Sequence, residues 1–228
     1  MTKHIFSFFN NEQECIKSLL DIHNEGKDID LDPMYNQGMF YKSLINKPKY
    51  RFDLNADIKG YDAQTGDATN LPLDDSAVHC MILDPPFMFG THGQTKNNVI
   101  NKRYTMFDTF DELENCYKGI LAESYRVLDR KGILIFKCQD YTDSKTTMTH
   151  CFVWKWAIEK GFYAKDIAIL NLPKAKIYNG NLRQKHLRKT HCYFWVFEKK
   201  TNRSRAQCVD FVKNGGLPDP PRMEKCAK

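Results

Sequence analysis

The sequence predicts an α/β fold built on a mostly parallel β-sheet. Three observations carry that expectation. Short apolar runs alternate with longer segments of helical periodicity through most of the 228 residues. Two of the runs, 77–83 (AVHCMIL) and 132–138 (GILIFKC), are apolar without alternation, which suits strands covered on both faces. The last two, YAKDIAILNL and HCYFWVFEK, have no helical pattern between them and suit an antiparallel pair.

The elements follow in order. Residues 10–25 place Cys15, Leu19, Leu20 and Ile22 at near-helical spacing behind an asparagine cap. DIDLD is a short strand ending at Asp32-Pro33, and MYNQGMFYKSLI reads as a turn opening a helix. YRFDLN at 50–55 is the next strand, and a polar stretch with two glycines leads to Gly66-Asp67. The run 77–83 ends at Asp84-Pro85-Pro86-Phe87. Residues 88–109 form a long loop, a length that is uncommon unless functional. FDELENCYKGILAESYRVL is an amphipathic helix with Leu113, Tyr117, Ile120, Leu121 and Leu128 near one stripe. A turn at Lys131-Gly132 precedes the strand GILIFKC, and 147–160 is a helix carrying Trp154 and Trp156. Residues 1–200 are expected to be one domain, with its core at about 28–200 and 201–228 as a tail without sustained periodicity.

Composition narrows the class. Hydrophobic residues at 42% and charged residues at 27% exclude a disordered chain. No run reaches the roughly 20 apolar residues that span a membrane. The start, MTKHIFSFFNNEQEC, lacks the apolar region and cleavage site of a signal peptide, so a cytoplasmic protein with no membrane partner is expected. The eight cysteines form no C-x-x-C, which points to reduced buried thiols and no metal. The net charge is +6, and it is concentrated: residues 174–205 hold ten Lys or Arg against the single acid Glu198. Concentrated basic charge beside Tyr178, Asn179 and Asn181 suits a phosphate backbone. A solvated hairpin loop is the plainer reading of the same residues.

In open α/β sheets ligands bind at the carboxyl ends of the strands. Four acids stand there, Asp32, Asp53, Asp67 and Asp84. One such Asp is ordinary turn chemistry. A row of four suits a ligand with hydroxyl and amino donors, such as a nucleoside. There is no G-x-x-x-x-G-K-[ST] and no G-x-G-x-x-G after a strand, which disfavours ATP hydrolysis and ordinary NAD chemistry. The sharpest signal is Asp84-Pro85-Pro86-Phe87. Two prolines cannot continue a sheet and hold the Asp84 and Pro85 carbonyls in a fixed direction. Beside the Asp84 carboxylate and the flat face of Phe87 they make a rigid rim of acceptors that fits a planar base bearing an exocyclic amine. A simple strand-ending turn is the alternative. A second DPP, Asp219-Pro220-Pro221, has neither strand nor aromatic and reads as a tail turn.

At these residues the chain resembles the class I methyltransferases that use S-adenosyl-L-methionine to methylate exocyclic amines, the N6-adenine and N4-cytosine enzymes. Their catalytic motif is [DNS]-P-P-[YF]. LDPMYNQGMFYKSL resembles their first cofactor motif, with Asp32, Pro33, Met34 and Gly38 as the matching positions and Asn36 where a first glycine is usual. Asp53 stands where the family places its ribose-binding acid, and GDATNLP, with Asp67 and Ala68, resembles the segment that contacts the cofactor adenine. The resemblance covers about residues 28–200, with the cofactor motif first. It implies a Rossmann-like doubly wound, mostly parallel seven-stranded sheet with a C-terminal antiparallel hairpin. It also implies S-adenosyl-L-methionine as cofactor and Asp84, Pro85, Pro86 and Phe87 as the catalytic residues, with no metal. Asp at position 84 favours adenine over cytosine.

The implied partner is nucleic acid, DNA ahead of RNA. Candidate contacts are Lys102, Arg103 and Tyr104 in the 88–109 loop and Arg183, Lys185, Arg188 and Lys189 in the basic segment. The loop residues read equally as solvent-facing. The core uses nearly all of the chain, so sequence choice would rest on the two loops, a homodimer or a specificity partner. Lys137 and Asp140, ending the strand after the catalytic one, are candidates to line the pocket, with an exposed strand terminus as the alternative for Lys137. An RNA adenine methyltransferase and a catalytically silent nucleic-acid-binding module are the competing expectations.

Overall fold

The computed structural model describes residues 4–90, 107–142, 145–172, 185–187 and 189–200. Helix α1 (Glu12–His23) follows the two-residue strand β1 (Phe8–Phe9). Next come β2 (Leu31–Asp32), β3 (Tyr50–Asp53), the one-turn helix α2 (Ala56–Lys59), β4 (Gln64–Thr65) and β5 (Val78–Leu83). Helix α3 (Phe110–Val127) leads directly into β6 (Leu128–Cys138). A small hairpin, β7 (Tyr141–Thr142) and β8 (Thr146–Thr147), precedes α4 (Thr149–Lys160), β9 (Phe162–Asn171) and β10 (His191–Lys199).

The central sheet has the order β1-β9-β10-β6-β5-β2-β3-β4. Every pairing is parallel except those of β10, which runs antiparallel to both β6 and β9. The fold is therefore the expected doubly wound, Rossmann-like sheet with an antiparallel β9–β10 pair. The strand count differs from the seven expected. Phe8 and Phe9 pair with Ile169 and Leu170 and add an eighth strand at the edge. Two residues are too few to show a strand period in sequence.

Side-chain alternation sorts the core into two layers. Met81, Leu83, Leu134 and Phe136 face α3 and α4, where Leu113, Tyr117, Leu121, Val153 and Trp156 cover them. Cys80, Ile82, Ile133 and Ile135 face Ile16, Leu19 and Leu20 of α1 together with Tyr35, Phe40 and Tyr41. Helix ends are satisfied locally. Asn11 accepts from the backbone of Gln13 and Glu14, and Thr109 accepts from Glu112.

Two expectations are corrected. No helix follows β2: residues 33–45 form consecutive turns. Their apolar residues, Tyr35, Phe40, Tyr41 and Ile45, cover the sheet beside α1 without helical geometry. Left-handed Asn36 (φ 49°) and Gly38 (φ 65°) turn the chain too sharply for a helix to start. The turn at Lys131-Gly132 does not precede β6 but lies inside it, with Lys131 at φ 66° and a register shift against β5 between Val78 and Cys80. Among the described residues no helix is long and apolar enough to cross a membrane. Most of the 88–109 loop, the linker between β9 and β10, and the 201–228 segment lie outside the described residues.

Candidate active site

The carboxyl ends of β2, β3, β5 and β6 meet along one edge of the sheet, and β10 starts there because it runs the other way. Asp32 and Asp53 close their strands, Asp84 follows β5, and Lys137 and Asp140 lie at the end of β6.

The β5 corner is rigid. Pro85 is buried, and Pro86 and Phe87 are half-buried. Tyr117, fully buried on α3, donates its hydroxyl to the Pro86 carbonyl at 2.9 Å and clamps the motif from below. Phe89 packs edge-on against Phe110 and Tyr141 with centroids 5.5 and 5.4 Å away. Gly90 and Phe107 close the base of the loop through a 2.9 Å backbone hydrogen bond. The Asp84 side chain remains 38% exposed.

Among the described residues, Lys137 is the cation that meets Asp84. Its Nζ lies 2.9 Å from Asp84 Oδ2 and 2.9 Å from Glu12 Oε1. It also sits over the rings of Phe40 and Phe194, at 5.0 and 5.9 Å. Its side chain is only 18% exposed, so the reading of an exposed strand terminus is set aside. Burial alone would push the ammonium pKa down, but Asp84 and Glu12 hold it well above the usual lysine range.

The β2–β3 corner is a turn held by carboxylates. Asp32 is 2% exposed and accepts from the Met34 backbone at 3.0 Å and from the Tyr41 hydroxyl at 2.6 Å. Burial pushes its pKa up to about 7 against the pull of those two hydrogen bonds. Asp32 thus points inward and pins the turn. Asp53 accepts from the backbone of Asn36 at 3.0 Å and of Asn55 at 2.9 Å. Each of its oxygens keeps a second lone pair for a hydroxyl donor. Pro33 and Gly38 are buried and Met34 is half-buried. A Cβ on Gly38 would meet the buried Tyr35 hydroxyl at 2.5 Å and its ring at 2.6 Å, so only glycine fits there. Asp67 is exposed and holds Thr69 through its own turn, while Ala68 beside it is buried. Gln13 on α1 takes three hydrogen bonds from Ser43 and Leu44 and fastens the far end of the turn segment. A cavity of about 370 Å³ opens beside it, lined by Glu12, Gln13, Met39, Lys42 and Leu44 among others.

A third group sits where β6 and β10 meet the edge. Buried Asp140 accepts from His150 Nδ1 at 2.7 Å, and His150 stacks on Tyr193 at 4.3 Å. His191 Nε2 lies 3.0 Å from the Tyr193 hydroxyl.

The structure brings the expected cofactor and acceptor residues to one edge. Of the expected nucleic-acid contacts, Lys185 is exposed and Lys189 half-exposed. Lys102, Arg103, Tyr104, Arg183 and Arg188 lie outside the described residues. Sequence reasoning missed Glu12, Gln13, Tyr41, Tyr117, His150 and Tyr193 as site residues. Glu12 and Gln13 occupy the first turn of a helix, where acidic and amide side chains are ordinary. Tyr41 and Tyr117 stand at apolar-patterned positions where a tyrosine reads as core.

Residues 78–217 match the family model described as DNA methylase, N6_N4_Mtase. The match begins at β5, with Asp84-Pro85-Pro86-Phe87 inside it. No curated protein matches the chain. Among solved structures, a protein from Thermus thermophilus described as a DNA modification methylase, complexed with S-adenosyl-L-methionine, aligns at 14% identity and TM-score 0.43. That alignment covers 69% of this chain and 57% of that one. A SAM-dependent methyltransferase from Thermotoga maritima aligns at 17% identity and TM-score 0.47, over 83% and 88% of the two chains. TrmN, also from Thermus thermophilus, aligns at 14% identity and TM-score 0.43, over 82% and 48%. The chain spans about 57% of the length of the Thermus thermophilus protein described as a DNA modification methylase. With well over half of its residues matched by the family model, the chain belongs to the N6_N4_Mtase family of DNA methylases.

Proposed function

We propose that the protein methylates the exocyclic amine of a nucleic-acid base, adenine-N6 in DNA, with S-adenosyl-L-methionine as the methyl donor. The observation that carries this reading is Asp84-Pro85-Pro86-Phe87, fixed at the carboxyl end of β5 with the Asp84 carboxylate still accessible.

The residues at the β2–β3 corner fit the donor. Asp53 retains lone pairs for ribose hydroxyls, and the exposed Asp67 offers a carboxylate for the adenine, with Ala68 buried beside it. The cavity beside Gln13 lies at the end of the turn around Gly38. When bound, the cofactor supplies an electrophilic sulfonium methyl. Asp84 and the Pro85 carbonyl accept the two hydrogens of the base amine. That draws its lone pair out of conjugation with the ring and aims it at the methyl group. Phe87 stacks on the base. In a duplex the base is first flipped out of the stack. Asp rather than Ser at position 84 supports adenine over cytosine, by the family's motif. The basic segment, with Lys185 and Lys189, supports binding to the phosphate backbone.

The test is to incubate the protein with labelled S-adenosyl-L-methionine and, separately, duplex DNA, single-stranded DNA and total RNA, then identify the labelled nucleoside. N6-methyladenine from DNA is expected. Label confined to RNA moves the substrate to RNA. Cofactor binding without transfer to any pool contradicts the reading for the protein acting alone, and absence of cofactor binding supports a silent nucleic-acid-binding module.

A further inference from the structure

We propose that Lys137 is a positioning residue for the acceptor Asp84, and that Glu12, at the start of α1, completes the pair as a three-membered ion cluster. The proposal rests on the reading of Asp84 as the amine acceptor.

The geometry is local and direct. In the sheet Phe136 of β6 pairs with Leu83 of β5, so Lys137 stands in register beside Asp84, one residue past the last strand pair. Its Nζ takes Asp84 Oδ2 at 2.9 Å. A carboxylate at a strand end, 38% exposed, otherwise turns freely about its side-chain bonds. With Oδ2 held, Oδ1 is presented in one direction, which is what an in-line transfer requires of the group that orients the nucleophile. The lysine is itself held. Phe40 and Phe194 confine the ammonium from the α1 side of the sheet.

A cation touching the acceptor would also weaken it. Paired alone, Lys137 and Asp84 are neutral together, and the attraction for an amine hydrogen falls. Glu12 Oε1, 2.9 Å from the same nitrogen, returns the cluster to a net charge of −1. Glu12 is the first residue of α1, where a carboxylate is favoured by the helix dipole. The next residue, Gln13, holds the backbone of Ser43 and Leu44. One turn of α1 therefore fixes both the acceptor and the end of the β2–β3 turn segment. This gives a physical role to a helix whose sequence carries no catalytic motif.

The test is a double-mutant cycle read in single turnover on duplex DNA free of N6-methyladenine, with labelled S-adenosyl-L-methionine. Lys137→Met is expected to slow methyl transfer by about 100-fold while the Kd for cofactor and for DNA change by less than about twofold. Lys137→Arg should recover at least about tenfold of that loss, because it restores the charge. Against an Asp84→Asn background, Lys137→Met should cost less than about threefold, because the residue it positions has lost its charge. Glu12→Gln should slow transfer by about fivefold with cofactor Kd unchanged. A second readout does not need turnover: the Nζ proton resonance of Lys137, observable in the free protein when the ammonium is held, should shift in both Asp84→Asn and Glu12→Gln. Transfer by Lys137→Met at the wild-type rate overturns the proposal. So does an equal loss in both backgrounds, which would make Lys137 a packing residue, or a Lys137 resonance indifferent to Asp84→Asn. Failure of the underlying reading looks different: Asp84→Ala would then methylate DNA as the wild type does, whatever Lys137→Met shows.

Discussion

The half of the sheet formed by β5, β6, β9 and β10 and the half formed by β2, β3 and β4 are stabilised by different interactions. The first has strands of 6, 11, 10 and 9 residues, with 18- and 12-residue helices packed on one face. Burial dominates there: Leu83, Phe136, Phe162, Phe194 and Phe197 have no exposed surface. The second half has strands of 2, 4 and 2 residues and no helix after its first strand. Beside the buried Leu31, Phe52 and Tyr35, side chains bonded to backbone hold its turns, through Asp32 to Met34, Asp53 to Asn36 and Asn55, and Gln13 to Ser43 and Leu44. The family match falls on the first half and not the second, beginning at residue 78. The contrast teaches that the β5–β10 half is a packed scaffold and the β2–β4 half a shorter unit whose turns are fastened to it by polar bonds. Each should break in its own way.

The largest expected effect is in the packed half. Phe136→Ala empties a fully buried position between α3 and the sheet and should cost about 4 kcal/mol, measured as a fall in unfolding free energy in urea. A loss under about 1 kcal/mol would mean this half is not held by packing.

The polar half should respond to pH. Burial raises the Asp32 carboxyl from 3.8 to about 7 in the folded protein. The folded state then binds a proton that the unfolded state has released. Stability from this group is complete below about pH 3.8 and is lost as pH rises through about 7. Asp32→Asn cannot titrate. Relative to that variant, the wild type should lose about 2 kcal/mol or more between about pH 4 and 7 and then level off. Parallel stability profiles of the two proteins over that range would contradict the burial argument.

The smallest effect sharpens the boundary between the halves. Gln13→Ala frees the amides of Ser43 and Leu44 but leaves the core alone. It should weaken cofactor binding severalfold, corresponding to about 1 kcal/mol, and leave the urea midpoint of the β5–β10 half unchanged. Calorimetric titration with S-adenosyl-L-methionine and a urea series check the two claims together.

The same division explains what could be read from sequence. AVHCMIL and GILIFKC are apolar on both faces and bounded by turns, so their burial and parallel pairing were legible from pattern alone. So was α3, from the stripe Leu113, Tyr117, Ile120, Leu121. Residues 34–45 misled: Met34, Phe40, Tyr41 and Leu44 imitate helical spacing, while the turn is set by left-handed backbone at Asn36 and Gly38 and by long-range bonds from Gln13 and Asp53. Hydrophobic period carries no record of such bonds. At the site, Asp84 and the two prolines were legible because proline fixes backbone direction whatever the context. Lys137 reads either as a pocket-lining residue or as an exposed strand end, and its partner Glu12, brought to it from far away in the sequence, leaves no trace in the pattern. Asp32, expected among the cofactor residues, is buried under Tyr41, and a carboxylate at a strand end gives no sign in sequence of which way it turns.

The claim that joins the two halves is that Asp84 acts on the base and not on the cofactor. Asp84→Ala measured side by side for cofactor binding by calorimetry and for single-turnover methyl transfer to duplex DNA tests it most directly. Transfer should fall about 1,000-fold or more, about 4 kcal/mol of transition-state stabilisation, with cofactor Kd within about twofold of wild type. Transfer near the wild-type rate, or loss of cofactor binding in step with transfer, would contradict the account.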